Sequence, residues 1–433
     1  MNEMAGAVEA MELADIPEDR FFNPWRVPVT AAAKGFVEEI IRDVEAFEQA
    51  QKLRQRKRRP ADEETFRVTL SALVCDLAHA ILSDAEAGFV VSRSFQELGR
   101  RSRYRAPALN KTFPGLLDML GAPELAIIRQ DIGFQRFQKP GQRTRVLPGT
   151  GFRERFGRVA LQFEDLREDR AEVVILKAEK EGHWDTGRLV EYTDTPDTSR
   201  LRADVRRINN FLRDADLNFD EGEVELPRPL DLTNRQLKRI FNNARFDSGG
   251  RLFGGFWQPL SKKHRLAGLT IDEEAVAELD FGQMSLRTLY GLEGKPVPAG
   301  DLYAIPGLED WREGTKLFIN ALLFTEGPRR RKPQGTKTIL PRRVSAEELI
   351  RRISEFHAPV AHHFGTEVGH YLQFIESEVM MGVLLALMEE DIVALPIHDA
   401  VMAPSSRSDR VLQVMKEVFE KRVGAEAMIS VTI

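Results

Sequence analysis

Two aspartates stand where the hydrophobic pattern asks for buried strand. Asp280 ends the apolar run AVAELDF, and Asp399 lies inside ALPIHDAV (394–401). An unpaired carboxylate is costly to bury, so each needs a partner, and a metal ion is one such partner. An H-D dipeptide alone proves little and reads more readily as a plain tight turn, and the rest of the chain has to decide. Two carboxylates from different strands can hold two Mg²⁺ ions roughly 3.5–4 Å apart, an arrangement suited to phosphoryl transfer, with Mn²⁺ as a substitute. Between them in sequence, DWREGTKLFINALLFTEG (310–327) repeats Arg312, Lys316, Asn320 and Phe324 every four residues, which is one face of a helix. Such a face binds a triphosphate, Lys316 as a point charge and Arg312 as a planar fork.

These residues need elements to hold them. AVAELDFGQMSLRTLYGL (275–292) reads as a short strand that runs into Asp280 and then turns helical. FGTEVGHYLQFIESEVMMGVLLALMEEDIVALPIHDAV (364–401) reads as a long helix followed by a hairpin with Asp399 at its tip. Upstream, residues 33–58 form a helix of mixed charge, within an N-terminal arm 1–64. From 65 to 157, three helical stretches (ETFRVTLSALVCDLAHAIL, SRSFQELGRR, APALNKTFPGLLDML) precede two strands, ELAIIRQDIGF and RTRVLP, across the turn QKPGQ. Three helices and a hairpin resemble a winged-helix DNA-binding domain, which implies duplex contacts from Arg103, Arg105 and Lys111. The same order also describes many packing modules. In the connecting, thumb-like region 158–245, VALQFEDL and AEVVILKAE read as strands, SRLRADVRRINNFLRDADL and TNRQLKRIFNNARF as helices.

The motifs from 246 to 433 carry a more specific resemblance. DFGQMSLR is similar to motif A of the family A DNA polymerases, D-Y-S-Q-I-E-L-R. REGTKLFINALLF resembles motif B, the fingers helix R-x3-K-x7-Y, and PIHDAV resembles motif C, which is V-H-D-E there and I-H-D-S in single-subunit phage-type RNA polymerases. GGRLFGGFWQPLSKKHR (249–265) is similar to the family's primer–template minor-groove stretch, and LQFIESEV to its palm helix. The resemblance implies that Asp280 and Asp399, with the Phe281 carbonyl, hold the metals. Arg312 and Lys316 would grip the triphosphate, and Lys316 would also protonate the leaving pyrophosphate. Phe324 would stack beneath the incoming base, with Gln283, Ser285 and Tyr303 also at the nucleotide. Tyr303 replaces a family histidine, so that match is partial. Arg251, Gln258, Gln373, Arg287 and Asn320 would meet primer and template, and His398 would touch the primer end or set the hairpin. Departures are equally specific: the family's sugar-crowding glutamate is Ser285, its helix phenylalanine is Asn320, and the glutamate after H-D is Ala400. The stretch between motifs A and B is short, implying trimmed fingers, and residues 1–245 hold no exonuclease-like carboxylate cluster.

Composition bounds the remainder. A single cysteine, Cys75, excludes an internal disulfide and a cysteine-built zinc site, and suggests a reducing cytoplasm. The N-terminus lacks the order of a signal peptide, and no unbroken apolar run reaches the ~20 residues of a membrane span. The net charge of −5 hides two basic blocks, 51–60 and 328–343, each a solvated surface or a phosphate contact. His357, His362, His363 and His370 cluster, with His363 and His370 read as one helical face. A zinc site there is conceivable, though surface or nucleic-acid-contacting histidines are preferred. No phosphate-binding G-x-x-x-x-G-K-[ST] loop is present, which argues against an ATP-driven helicase.

The expected fold is α+β: an N-terminal helical or winged-helix domain, then a right-hand polymerase palm with trimmed fingers. The expected function is template-directed nucleotidyl transfer on DNA with nucleoside triphosphates and two Mg²⁺ ions, in replication or priming of a plasmid, phage or mobile element. The alternative is a non-catalytic DNA-binding replication initiator with a relic palm.

Overall fold

The computed structural model describes residues 19–83, 88–134, 142–182, 185–220, 222, 226, 230–336 and 338–433. The chain is a mixed α+β protein with several sheets. The chain divides into two compact units, and the expected connecting region 158–245 is shared between them. One is built from residues in 19–172 and 225–236, the other from residues in 173–224 and 237–433.

The N-terminal unit runs β1 (Asp19–Phe21), β2 (Arg26–Pro28), α1 (Ala31–Ala50), α2 (Pro60–Ser83), β3 (Gly88–Val91), α3 (Phe95–Leu98), α4 (Phe113–Leu120), β4 (Ile128–Asp131), β5 (Thr144–Pro148), α5 (Thr150–Val159) and β6 (Leu166–Glu168). Thr30 caps α1 by accepting from the Ala33 amide, and Pro60 starts α2, where a missing N–H costs nothing. Their apolar faces meet in a core that includes Ile40, Ile41, Val44, Leu70, Leu73 and Leu77. One sheet has the order β1-β3-β5-β4, with β3 antiparallel to β5 and β5 antiparallel to β4. The three helices and the two antiparallel strands appear where expected, while residues 138–141 of the turn QKPGQ lie outside the described residues; β3, placed between the first two helices, was not anticipated. The first basic block is not wholly solvated: Arg58 is drawn inward, paired with Glu48 at 2.6 Å and lying 3.5 Å over the Phe66 ring.

The C-terminal unit contains β7 (Val174–Leu176), α6 (Pro196–Asp214), β8 (Leu217–Phe219), β9 (Lys238–Phe241), β10 (Gly249–Phe253), α7 (Lys262–Gly268), β11 (Leu269–Ile271), β12 (Glu274–Phe281), α8 (Met284–Leu292), α9 (Arg312–Leu323), α10 (Ala346–Phe356), α11 (Gly369–Glu389), β13 (Leu395–Ile397), β14 (Ala400–Pro404), α12 (Ser408–Val423) and β15 (Ile429–Thr432). The larger sheet is ordered β13-β14-β12-β11-β8, with β15 also paired to β12. β12 is thus flanked by β14 and β15 along its last residues, which fixes where Asp280 emerges.

TNRQLKRIFNNARF corrects a sequence reading. Its centre, Lys238–Phe241, is a strand, paired antiparallel to β10 and parallel to β7. Four residues are too few to separate the two periodicities, and the partner strands decide. Arg239 is buried on this strand, donating to Glu378 and Ser377 at 2.7 Å and to the Gly250 carbonyl at 2.8 Å. α8, α9 and α10 enclose a separate apolar cluster around Leu289, Ile305, Phe318 and Leu349. α2 and α11 are each long and apolar enough by composition to cross a membrane, and most of each such stretch is buried within the fold.

Candidate active site

β12 is apolar up to Leu279 and ends at Asp280 and Phe281; the chain then turns through Gln283, held at φ 57°, into α8. The β13–β14 hairpin turns through His398 and Asp399, with His398 at φ 55°. Because β14 pairs with β12 in the register Asp280↔Ala400, Asp399 lies beside the end of β12. The Phe281 amide donates to the Asp399 carbonyl at 3.1 Å, fixing the two segments together. The Phe281 side chain is buried against Phe419, ring centroids 5.5 Å apart.

The electrostatics follow from this placement. Burial, then the charge of Asp399, then that of Glu278 push the Asp280 carboxyl up to about 7, while Lys262 and Lys316 oppose the rise. Lys316 on α9 is thus a cation from another element whose charge bears on this carboxylate. Glu278, two residues back along the strand and so on the same face, is buried between Arg265 at 2.9 Å and Lys262 at 3.0 Å. Glu376 on α11 forms a two-point pair with Arg251, at 2.6 and 2.9 Å. Burial raises the Glu376 carboxyl, Arg251 offsets part of this, and the charge of Asp399 adds to it. Glu278 and Glu376 went unread in the sequence. Glu278 was legible from strand alternation in E-L-D; Glu376 lies within LQFIESEV but gave no sign of a partner more than a hundred positions away.

Some of the residues expected at the nucleotide gather around Tyr303, which is buried. Burial and then Asp399 push its phenol well above its ordinary range. The Arg312 guanidinium lies 5.7 Å from the Tyr303 ring and the Lys316 ammonium 6.0 Å. Arg312 donates to Asp301, whose other oxygen accepts from Gln283 and from the Tyr303 amide, both at 3.0 Å. One unanticipated carboxylate thus joins the first turn of α8 to the first turn of α9. Ser285 is half-buried in that turn of α8, and Asn320 is buried on α9. Phe324 caps α9 and lies edge-on to His370, centroids 5.1 Å apart. Gly369 makes room for it: a Cβ there would come within 2.7 Å of the Phe324 ring.

Several expected primer–template contacts are engaged within the protein. Gln258 donates to the Leu252 and Pro396 carbonyls at 3.2 and 3.0 Å and accepts from the Gly254 amide, so it anchors its own loop to the hairpin. Arg287 donates to the Glu426 carbonyl at 2.9 Å. His398 lies edge-on to Phe253 and is held below its usual pKa, by burial first and the Arg251 charge second. Gln373 is half-buried on α11, one turn beyond His370. His363 and His370 do not share a helix, because Gly365 and Glu367 take positive φ between them.

In the N-terminal unit Arg103 lies near Glu172, at 3.7 Å. Arg105 donates to the Leu109 and Arg100 carbonyls at 2.7 and 2.9 Å and to that of Glu97, closing the loop on itself. Arg100, Arg101 and Lys111 are the exposed cations of this stretch.

The donor set at Asp280 and Asp399 fits a hard divalent cation. Two carboxylates forced together in a part-buried site repel, and the raised Asp280 records that cost; a cation bound by both would relieve it. Oxygen donors match Mg²⁺ or Mn²⁺.

No protein-family model and no curated protein matches the chain. Among solved structures it is similar to the POL domain of Pol1 from M. smegmatis in complex with DNA primer-template and dNTP. Identity is 14% and the TM-score 0.31, over 59% of this chain and 57% of that one, so the chain spans little more than half the length of that structure.

Proposed function

We propose that the protein is a template-directed nucleotidyltransferase acting on DNA with nucleoside triphosphates. The observation that carries this reading is the register that brings Asp280 and Asp399 to adjacent strand ends, with the charge of Lys316 on α9 bearing on Asp280. Asp280, Asp399 and the Phe281 carbonyl would hold two Mg²⁺ ions. Bound there, the ions would acidify an attacking 3′-hydroxyl and neutralise charge on the reacting phosphate.

The chain's own residues divide the remaining work. Lys316 and Arg312 would bind the triphosphate, and Lys316 would give a proton to departing pyrophosphate. Phe324, held by Gly369 and His370, offers a flat face to the base. The nucleotide then runs along α9, phosphates at Arg312 and Lys316, base at Phe324. Ser285 and Gln283 border the sugar, and Tyr303 closes the apolar side. Arg251, Gln373 and His398 are proposed to meet the primer–template once Arg251 exchanges Glu376 for a phosphate.

The N-terminal unit is proposed as a winged-helix-type DNA-binding module. The strand order β3-β5-β4 around α3 and α4 supports it, and its exposed cations Arg100, Arg101 and Lys111 suit phosphate contacts. With this module attached, the setting we favour is replication or priming on a mobile element.

A second reading, a non-catalytic initiator with a relic palm, draws on one observation. Arg312 and Arg251, the cations proposed for nucleotide and DNA, are each paired with an internal carboxylate. Incubating the purified chain with primed and unprimed DNA, each nucleotide set and Mg²⁺ or Mn²⁺ separates the two. Metal-dependent incorporation supports the enzyme; DNA binding without incorporation under every condition leaves the initiator.

A further inference from the structure

We propose that Glu293, His362 and His363 form a zinc site separate from the Asp280–Asp399 centre. Glu293 is the C-cap of α8, and the histidines close the short 3-10 turn Ala361–His363. Both imidazoles present Nε2 to the same carboxylate oxygen, His363 at 2.8 Å and His362 at 3.2 Å. All three donor atoms lie within 4.8 Å of one another.

Zn–N and Zn–O bonds of about 2.0–2.2 Å at tetrahedral angles put neighbouring donors about 3.3 Å apart. The two Nε2–Oε1 separations fall within about half an ångström of that edge, and all three donors lie within 4.8 Å, so small side-chain rotations would bring them around one ion. Without metal, both rings must place their proton on Nε2 and share one acceptor oxygen. With zinc, each ring would carry its proton on Nδ1 instead, freeing both Nε2 lone pairs to bind the ion together with the carboxylate. Two imidazoles with one carboxylate favour zinc over Mg²⁺, which takes oxygen ligands. His362 is 59% exposed at its side chain, so the fourth position opens to solvent and takes a water.

The site has a positional consequence. α8 begins four residues after Asp280, with Gln283 as its N-cap and Ser285 in its first turn, while the turn at 361–363 precedes α11, which carries Glu376. Zinc would pin the far end of α8 to the segment that launches α11. Nothing in this step depends on nucleotide chemistry, so it stands or falls separately from the proposed function.

The test is calorimetric titration of the chelator-treated full-length protein with ZnCl₂, paired with the visible spectrum of its Co²⁺ form. We expect one high-affinity site with the intense Co²⁺ absorption of a tetrahedral centre. His362→Ala, His363→Ala and Glu293→Gln should each weaken it by about tenfold or more, with unchanged circular dichroism. The Asp280→Asn/Asp399→Asn double variant should retain it. Zinc binding that survives His362→Ala/His363→Ala, that disappears in the Asp280/Asp399 variant, or that is absent from the wild type overturns the proposal. So does a weak, octahedral Co²⁺ spectrum.

Discussion

The Phe281 amide donates to the Asp399 carbonyl at 3.1 Å, so two segments far apart in sequence are hydrogen-bonded where the carboxylates of Asp280 and Asp399 emerge. Asp280 is raised to about 7 by burial, by Asp399 and by Glu278, which marks the metal-free pair as mutually repulsive. Asp399→Asn should abolish nucleotide incorporation while leaving DNA affinity nearly intact. Removing one of two facing charges should also stabilise the metal-free protein, by about 1 kcal/mol. Mg²⁺ should raise the melting temperature of the wild type more than that of the variant. Thermal melts with and without Mg²⁺, beside a primer-extension assay, check all three; a variant that still incorporates nucleotide removes Asp399 from the chemistry.

The ion pair of Arg312 with Asp301 puts a protein carboxylate where a triphosphate oxygen would compete. The Arg312 side chain is 42% exposed, so solvent screens the pair and its worth is about 0.2–1 kcal/mol. Asp301→Asn should therefore lower KM for the incoming nucleotide by at most about fivefold. kcat should stay level or fall, because Gln283 and the Tyr303 amide share the same carboxylate. The dependence of single-turnover rate on nucleotide concentration separates the two constants. A KM that rises instead would show that Asp301 positions Arg312 rather than competing for it.

What was legible in the sequence is local in origin. Strand-to-helix at Asp280, the four-residue repeat from Arg312 to Phe324, and the hairpin after α11 are periodicities within single segments, and each element appears. Partners were not legible. Glu376 for Arg251, Asp301 for Arg312 and Pro396 for Gln258 are set by how separate segments pack. Arg105 illustrates the cost: in a basic run it reads as a DNA contact, yet three backbone carbonyls of its own loop take its guanidinium. Lys238–Phe241 failed for a different reason, since four residues cannot display a period and the neighbouring strands impose one.

In the N-terminal unit, Asp231 accepts from His79 at 2.7 Å and lies 3.5 Å from Arg26. Burial alone would raise this carboxyl, but the hydrogen bond and charge of His79, then the Arg26 charge and the Thr233 hydrogen bond, bring it down to about 2. A depressed carboxyl adds stability that is fully present above its unfolded pKa and lost as pH falls through the folded one. The window therefore runs from about pH 4 down to about pH 2 and is worth about 2 kcal/mol. Asp231→Asn should destabilise the protein at pH 7, with the difference from wild type shrinking across that window. Denaturant unfolding followed by circular dichroism at pH 7, 4 and 2.5 measures it; a difference that does not change with pH would assign the loss to packing.

Ser285 carries the sharpest consequence for substrate choice. In the polymerases that motif A resembles, a glutamate at this place leaves no room for a ribose 2′-hydroxyl. Here a half-buried serine stands in the first turn of α8, next to Gln283 and the Asp301 junction. A serine hydroxyl bonded to the 2′-OH contributes only about 0.5–1.5 kcal/mol net, so the main effect is the lifted steric exclusion. Phe324 lacks a hydroxyl with which to favour ribose. The expected enzyme accepts ribonucleotides readily without strongly rejecting deoxynucleotides, as priming would require. Ser285→Glu should depress ribonucleotide incorporation far more than deoxynucleotide incorporation, read as the ratio of kcat/KM values on one template. A wild type that already rejects ribonucleotides by about a thousandfold, a discrimination of about 4 kcal/mol, would mean that another side chain guards the sugar. Priming would then lose its chemical basis, while the metal-dependent transfer would stand.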